Sequence, residues 1–174
     1  MPFITDLTVT ERSAGKWELT NDLVYQGKIE TFTIPAGFVT DFASVPRLFT
    51  WLVPSTGEYT KCAVLHDWLL ETKAVSRCDA DGIFRRTMRE MGVAILRRRV
   101  MWAAVRVAGG SASCGIMQSL AVIGIALVIL PVAIPGTLLV LAALIVLFLA
   151  ELTVWGVMKA FGSDAERPKA FWWT

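Results

Sequence analysis

The run GIMQSLAVIGIALVILPVAIPGTLLVLAALIVLFLA, residues 115–150, decides how the rest of this chain is read. No Asp, Glu, Lys or Arg occurs between Arg106 and Glu151, and almost every side chain in the run is aliphatic. A stretch this long and uncharged reads as membrane-spanning rather than as core. Its length suits two spans, roughly Gly115 to Ile134 and Thr137 to Met158. At about 1.5 Å per residue each covers about 30 Å, the thickness of a bilayer's hydrocarbon. Pro135-Gly136 between them marks a tight turn. A buried helical hairpin inside a large soluble assembly is the competing reading. The same run explains a composition too apolar for an ordinary soluble domain: 55% hydrophobic residues and a mean hydropathy of +0.55.

Working outward, the segment before the run carries seven arginines and one glutamate between Arg85 and Arg106. Lys159, Arg167 and Lys169 follow it, with Asp164 and Glu166, and the turn AIPG has no charge. Basic flanks favour the cytoplasmic side, so both termini are expected inside a host inner membrane and the turn outside. Arg97, Arg98, Arg99, Trp102, Arg106, Trp155 and Lys159 are the expected contacts with the membrane and its anionic lipids. A solvated face competes for the basic helix, and nucleic acid is the less favoured partner. Folding the hairpin about Ile134–Pro135 sets Gln118 opposite Glu151, where the amide can donate to the carboxyl. The spans offer too few polar residues for a proton path, so this pair reads as a structural lock.

The domain in front, residues 1–110, changes period along its length. FITDLTV, KWELTNDLVYQ and KIETFTI are rich in Thr, Val, Ile and aromatics and predict three antiparallel strands, with Gly27 in a hairpin turn. Ser44 with Pro46 predicts a short helix that Pro54 stops. Ser55 with Glu58 predicts a second helix over about Gly57–Thr72, and Ser76 with Asp79 a third over about Arg77–Met91. A fourth runs from about Val93 to Val107. The fold class is therefore α+β: a short antiparallel β-sheet and a small helical bundle, then a two-helix transmembrane hairpin (111–160) and a polar, aromatic tail (161–174). The N-terminus has neither the basic start nor the apolar core of a signal peptide. Cys62, Cys78 and Cys114 are an odd count without metal-site spacing and read as small thiols in a reducing compartment.

TDFASVPRLF (40–49) and LHDWLL (65–70) gather Asp41, Ser44, His66 and Asp67, and His66 is the chain's single histidine. Cys62, Leu65, His66 and Leu69 share one helix face, so His66 points coreward while Asp67 is rotated about 100° away. Three readings compete. Asp41, Ser44 and His66 lock the strand-to-helix corner by capping and a buried pair, which is the favoured one. His66, Asp67 and Asp41, with Asp79 or Asp81, hold a divalent ion for hydrolysis, though no HExxH-like spacing fixes the geometry. Ser44 is a nucleophile with His66 as base, without a Gly-x-Ser-x-Gly elbow. No phosphate loop, dinucleotide fingerprint or zinc motif is present. Apart from that divalent ion, no cofactor is expected.

AGFVTDFASVPR, AVLHDWLL and CDADGIFRRTMREMGV together resemble a family of small phage and prophage proteins known as domain of unknown function 1353. The resemblance covers about Ile29 to Gly109, with the three motifs in the family's order. Asp41, Ser44, Pro46, His66, Asp67 and Asp81 match its pattern. It implies phage origin more than a chemistry, and the apolar hairpin lies beyond it as an added anchor. The expectation is a phage-encoded, non-enzymatic interaction domain at the host's inner membrane or in the virion tail. Its partners are anionic lipid, other phage proteins or copies of itself. A membrane-anchored, metal-dependent hydrolase is the alternative.

Overall fold

A computed structural model describes residues 2–42, 50–54, 56–110, 115–161 and 166–168. Among them are five strands, β1 (Val9–Ser13), β2 (Lys16–Leu19), β3 (Leu23–Gln26), β4 (Thr31–Ile34) and β5 (Val39–Thr40). Four helices follow: α1 (Thr60–Thr72), α2 (Arg77–Glu90), α3 (Ile95–Ala108) and α4 (Ile116–Ala160). The chain forms two compact units, residues 1–129 and 130–174.

In the first unit the strands make two antiparallel sheets, β1-β2-β5 and the hairpin β3-β4. KWELTNDLVYQ is thus two strands rather than one. Asn21 and Asp22 break it, because Asp22 spends its polar groups on the turn: Oδ1 accepts the Ala36 amide at 2.8 Å and its carbonyl accepts the Thr5 hydroxyl at 2.9 Å. FITDLTV is also displaced. Only Phe3 bridges to Tyr25, and the ladder begins at Val9. The β3-β4 turn closes as its sequence predicts, with the Gly27 amide donating to the Glu30 carbonyl at 2.8 Å. A Cβ on Gly27 meets the Tyr25 hydroxyl oxygen at 2.9 Å, so a side chain there collides with the ring.

Helix α2 starts where its cap places it: Ser76 Oγ accepts the Asp79 amide at 3.2 Å and donates to Asp79 Oδ2 at 2.6 Å. Helix α1 begins later than expected, at Thr60, whose hydroxyl oxygen accepts the Gly57 amide at 2.8 Å. The expected Ser55 cap and the first part of the short helix after Ser44 lie outside the described residues, and residues 50–53 of that segment are turn and bend rather than helix. Tyr25, Leu23 and Ile34 from the hairpin pack with Tyr59, Leu65, Leu69 and Met88 from the helices in one core. Tyr25 donates to Glu90 Oε2 at 2.9 Å and Arg86 pairs with Glu30, tying hairpin to α2.

The expected two-helix hairpin is not seen. One helix, α4, runs from Ile116 to Ala160 with Pro131 and Pro135 inside it. Each proline removes a single amide donor, and their spacing of four puts both on one helix face. Of its most apolar 18-residue window only 6% is buried. In the second unit Leu138, Leu139, Val146, Leu147 and Leu149 are all exposed. The helix is long and apolar enough to cross a membrane.

Candidate functional site

Two polar clusters hold the residues that the sequence singles out. The first is buried between α1, α2 and α3. His66 Nε2 lies 2.8 Å from Asp81 Oδ1, and Arg106 Nε lies 3.1 Å from Asp81 Oδ2. Arg106 also donates from Nη2 to the Cys78 carbonyl at 3.0 Å. Asp81 is 1% exposed, Arg106 3% and His66 6%. A carboxylate oxygen accepts, so the tautomer that fits this contact carries its proton on His66 Nε2. The His66 ring also meets Phe84, centroid to centroid at 4.9 Å. A buried carboxylate shared by a cation and an imidazole ties three helices together, and breaking it leaves an uncompensated charge.

The second cluster holds the corner after β5. Thr40 donates to Asp67 Oδ2 at 2.8 Å and accepts the Phe42 amide at 2.9 Å. Phe42 has φ +63°, a left-handed conformation costly for a bulky residue, and stacks on Trp17 at 5.7 Å. Asp67 is half-buried, and burial raises its carboxyl from 3.8 to about 6. The Thr40 hydrogen bond opposes that rise, and the negative charge of Asp41 adds to it.

His66 therefore points into one cluster and Asp67 into the other. The carboxylate on His66 Nε2 is Asp81 rather than the expected Asp41, because α1 turns that face toward α2. Ser44 and Pro46 lie outside the described residues. Among the described residues no three His, Cys, Asp or Glu side chains converge in a group that could hold a metal ion. Burial pushes the Cys62 thiol up to about 12, too high for a ready nucleophile. Cys78 is disulfide-bonded rather than the free thiol expected, a proximity that sequence spacing does not reveal.

Arg106 and Trp102, expected at a lipid surface, are interior: Arg106 is drawn in by Asp81, and Trp102 packs with Ala103, Ala121, Val122 and Ile125. Arg97 and Arg99 are exposed on α3 and Arg98 is half-buried. Lys159 is exposed in the last turn of α4, and Trp155 is half-buried. Gln118 and Glu151 are both exposed on α4, and their pairing presupposes a hairpin. Sequence reasoning missed Thr40 and Phe42. A threonine two residues before a corner is a recognised side-chain-to-backbone motif and was the available signal. It also missed Arg106 as the partner of Asp81, for which no local signal exists.

The shifted Asp67 yields a pH-dependent expectation. A carboxyl whose folded value is raised favours folding at low pH, where both states are protonated, and this contribution is lost as pH rises from about 4 to about 6. Asp67→Asn removes the charge and keeps an acceptor for Thr40. The variant is expected to be more stable than the parent by about 1–3 kcal/mol above pH 7, with the gain vanishing near pH 4. Urea melts across that range read the difference, and an equal effect at both ends would contradict it.

Residues 17–105 match the family described as Protein of unknown function (DUF1353), half of the chain, and the chain belongs to that family. It is also similar to Uncharacterized protein y4jT of Sinorhizobium fredii (strain NBRC 101917 / NGR234), 35% identical over 78 residues. That match takes in 44% of this chain and 23% of the relative, so the chain spans about a quarter of the relative's length. No solved structure matches.

Proposed function

We propose that this member of the DUF1353 family is a phage-encoded, non-enzymatic interaction domain held in the host's inner membrane by α4. The observation that carries the reading is the apolar surface of α4, of which 6% is buried in its most apolar window. Soluble proteins rarely leave apolar patches beyond a few hundred Å² uncovered. A bilayer covers this one.

Bilayer thickness then argues for two spans. The uncharged run from Ile116 to Ala150 rises about 52 Å as one helix, against about 30 Å of hydrocarbon. A single straight span needs a tilt of about 55°, beyond the roughly 0–40° seen for membrane helices. In the bilayer the helix breaks at Pro131–Gly136, which supports a hairpin with Gln118 facing Glu151 and both ends cytoplasmic. The outer face of α3 presents Ile95, Leu96 and Val107 beside Arg97 and Arg99, all exposed, a combination that suits an anionic interface. Phage origin rests on the motif resemblance. In a virion tail, other phage proteins or further copies of the chain cover the apolar segment until delivery.

Expressed in bacterial cells, the full chain is expected in the membrane fraction and to remain there after an alkaline wash. A chain ended before Ile116 is expected in the soluble fraction. Full-length protein released by the wash would count against the proposal.

One observation favours a second reading, a membrane-anchored hydrolase: Asp67 at about 6 has the proton affinity of a general acid or base. His66, its supposed partner, is engaged by Asp81, which makes this the weaker reading.

A further inference from the structure

Helix α3 has two covered sides and one bare one. Met101 is buried in the core with Val105 packed beside it, while Trp102, Ala103 and Arg106 are buried against α4 and α2. On the remaining side Leu96, Val100, Ala104 and Val107 recur at spacings of four, four and three, which aligns them along one face. Leu96 is 58% exposed and Val107 64%, Ala104 is exposed and Val100 half-buried. An apolar stripe at helical spacing ordinarily faces a core. This one faces away from it. Arg97 and Arg99, both exposed, fall on either side of the stripe, and α3 contains no Asp or Glu.

Three features bear on what covers the stripe. The first is place. Trp102 and Ala103 of α3 pack with Ala121, Val122 and Ile125 of α4, all within the first unit. Val122 comes six residues after Ile116, where α4 starts, or about 9 Å along the helix axis. Helices lying in a membrane interface sink their apolar faces by roughly 5–10 Å. An α4 that enters the bilayer at its start therefore carries α3 down to that level. The second feature is charge. Arginines along both edges of an apolar stripe reach lipid phosphates while their stems cover apolar surface. The third is what those arginines disfavour. A second copy of α3 packed stripe to stripe would set positive edges against positive edges.

We infer that α3 is a second membrane element: an amphipathic helix in the interface of an anionic bilayer. The stripe of Leu96, Val100, Ala104 and Val107 lies at the acyl boundary, and Arg97 and Arg99 meet the headgroup phosphates. The domain is then held against the bilayer in one orientation rather than standing off from it on α4. The inference rests on the membrane reading of α4 and adds a lipid-facing surface on the domain itself.

The test uses the full chain, with leucine and valine methyls labelled with carbon-13, in nanodiscs of phosphatidylcholine and phosphatidylglycerol. The Leu96 and Val107 methyl resonances are identified from their loss in Leu96→Ala and Val107→Ala. Lipid carrying a nitroxide high on its acyl chain is expected to broaden both. A gadolinium chelate in the water is expected to leave them sharp. Arg97→Gln joined to Arg99→Gln should weaken the lipid broadening about two-fold while the chain stays in the disc. Both arginines are exposed and stand apart from the Asp81 network, so the double variant should melt like the parent. Resonances that the chelate broadens and the lipid nitroxide spares, in a chain still held in the disc, overturn the inference and leave α4 as the anchor. Resonances spared by both agents place protein over the stripe, a second copy or another chain, and also overturn it. Unchanged broadening in the double variant overturns the headgroup contact. A chain that does not enter the disc overturns the membrane reading itself.

Discussion

Asp81→Asn is expected to destabilise the domain by about 3–5 kcal/mol, a large part of the margin of a domain this small. The substitution keeps the shape of the side chain and removes only its charge. What remains is the Arg106 guanidinium, 3% exposed, with the Cys78 carbonyl as its other acceptor and no neutralising charge. The cost thus comes from the stranded cation rather than from the lost contact. Joining Asp81→Leu to Arg106→Met removes both charges and is expected to recover much of the loss, because apolar groups of similar volume often replace a buried ion pair without penalty. His66→Gln added to Asp81→Asn should cost little more, since its partner has already changed. Thermal melts in neutral detergent read all four proteins. An Asp81→Asn shift within about 0.5 kcal/mol of the parent, as for an ordinary surface change, would remove the network from the structural core.

That network was half legible in the sequence. Helical spacing placed His66 on the face of Cys62, Leu65 and Leu69, and its coreward direction follows from local geometry alone. The choice of Asp81 over Asp41 is made by the packing of α1 on α2, which no local pattern encodes. Arg106 was harder still. In a run of arginines before an apolar stretch, the local pattern reads every guanidinium as membrane-facing, and only the buried carboxylate on α2 pulls this one inward. The Ser76 cap of α2 was legible because the motif is complete within four residues. The break between β2 and β3 could have been found in Asn21-Asp22, a turn pair that the surrounding Val, Leu and Tyr residues mask. The long apolar segment was the plainest signal of all. Whether Pro135-Gly136 ends a helix depends on the medium around it, which no local pattern in the chain states.

A second large effect is expected at that segment. In a bacterial cell, reporters joined before Met1 and after Thr174 should both lie in the cytoplasm, because Arg97, Arg98 and Arg99 precede the apolar run and Lys159 follows it. Ending the chain after Ile134 leaves only the first of the two spans and should send a C-terminal reporter to the periplasm. The change is close to all-or-none in the readout, unlike the graded losses expected in the domain. The most direct test of membrane anchoring by α4 is therefore the location of both reporters on the unaltered chain. Two cytoplasmic reporters that sediment with the membrane are the expected result. Reporters on opposite sides contradict the two-span arrangement, and reporters recovered in the soluble fraction contradict the anchor itself.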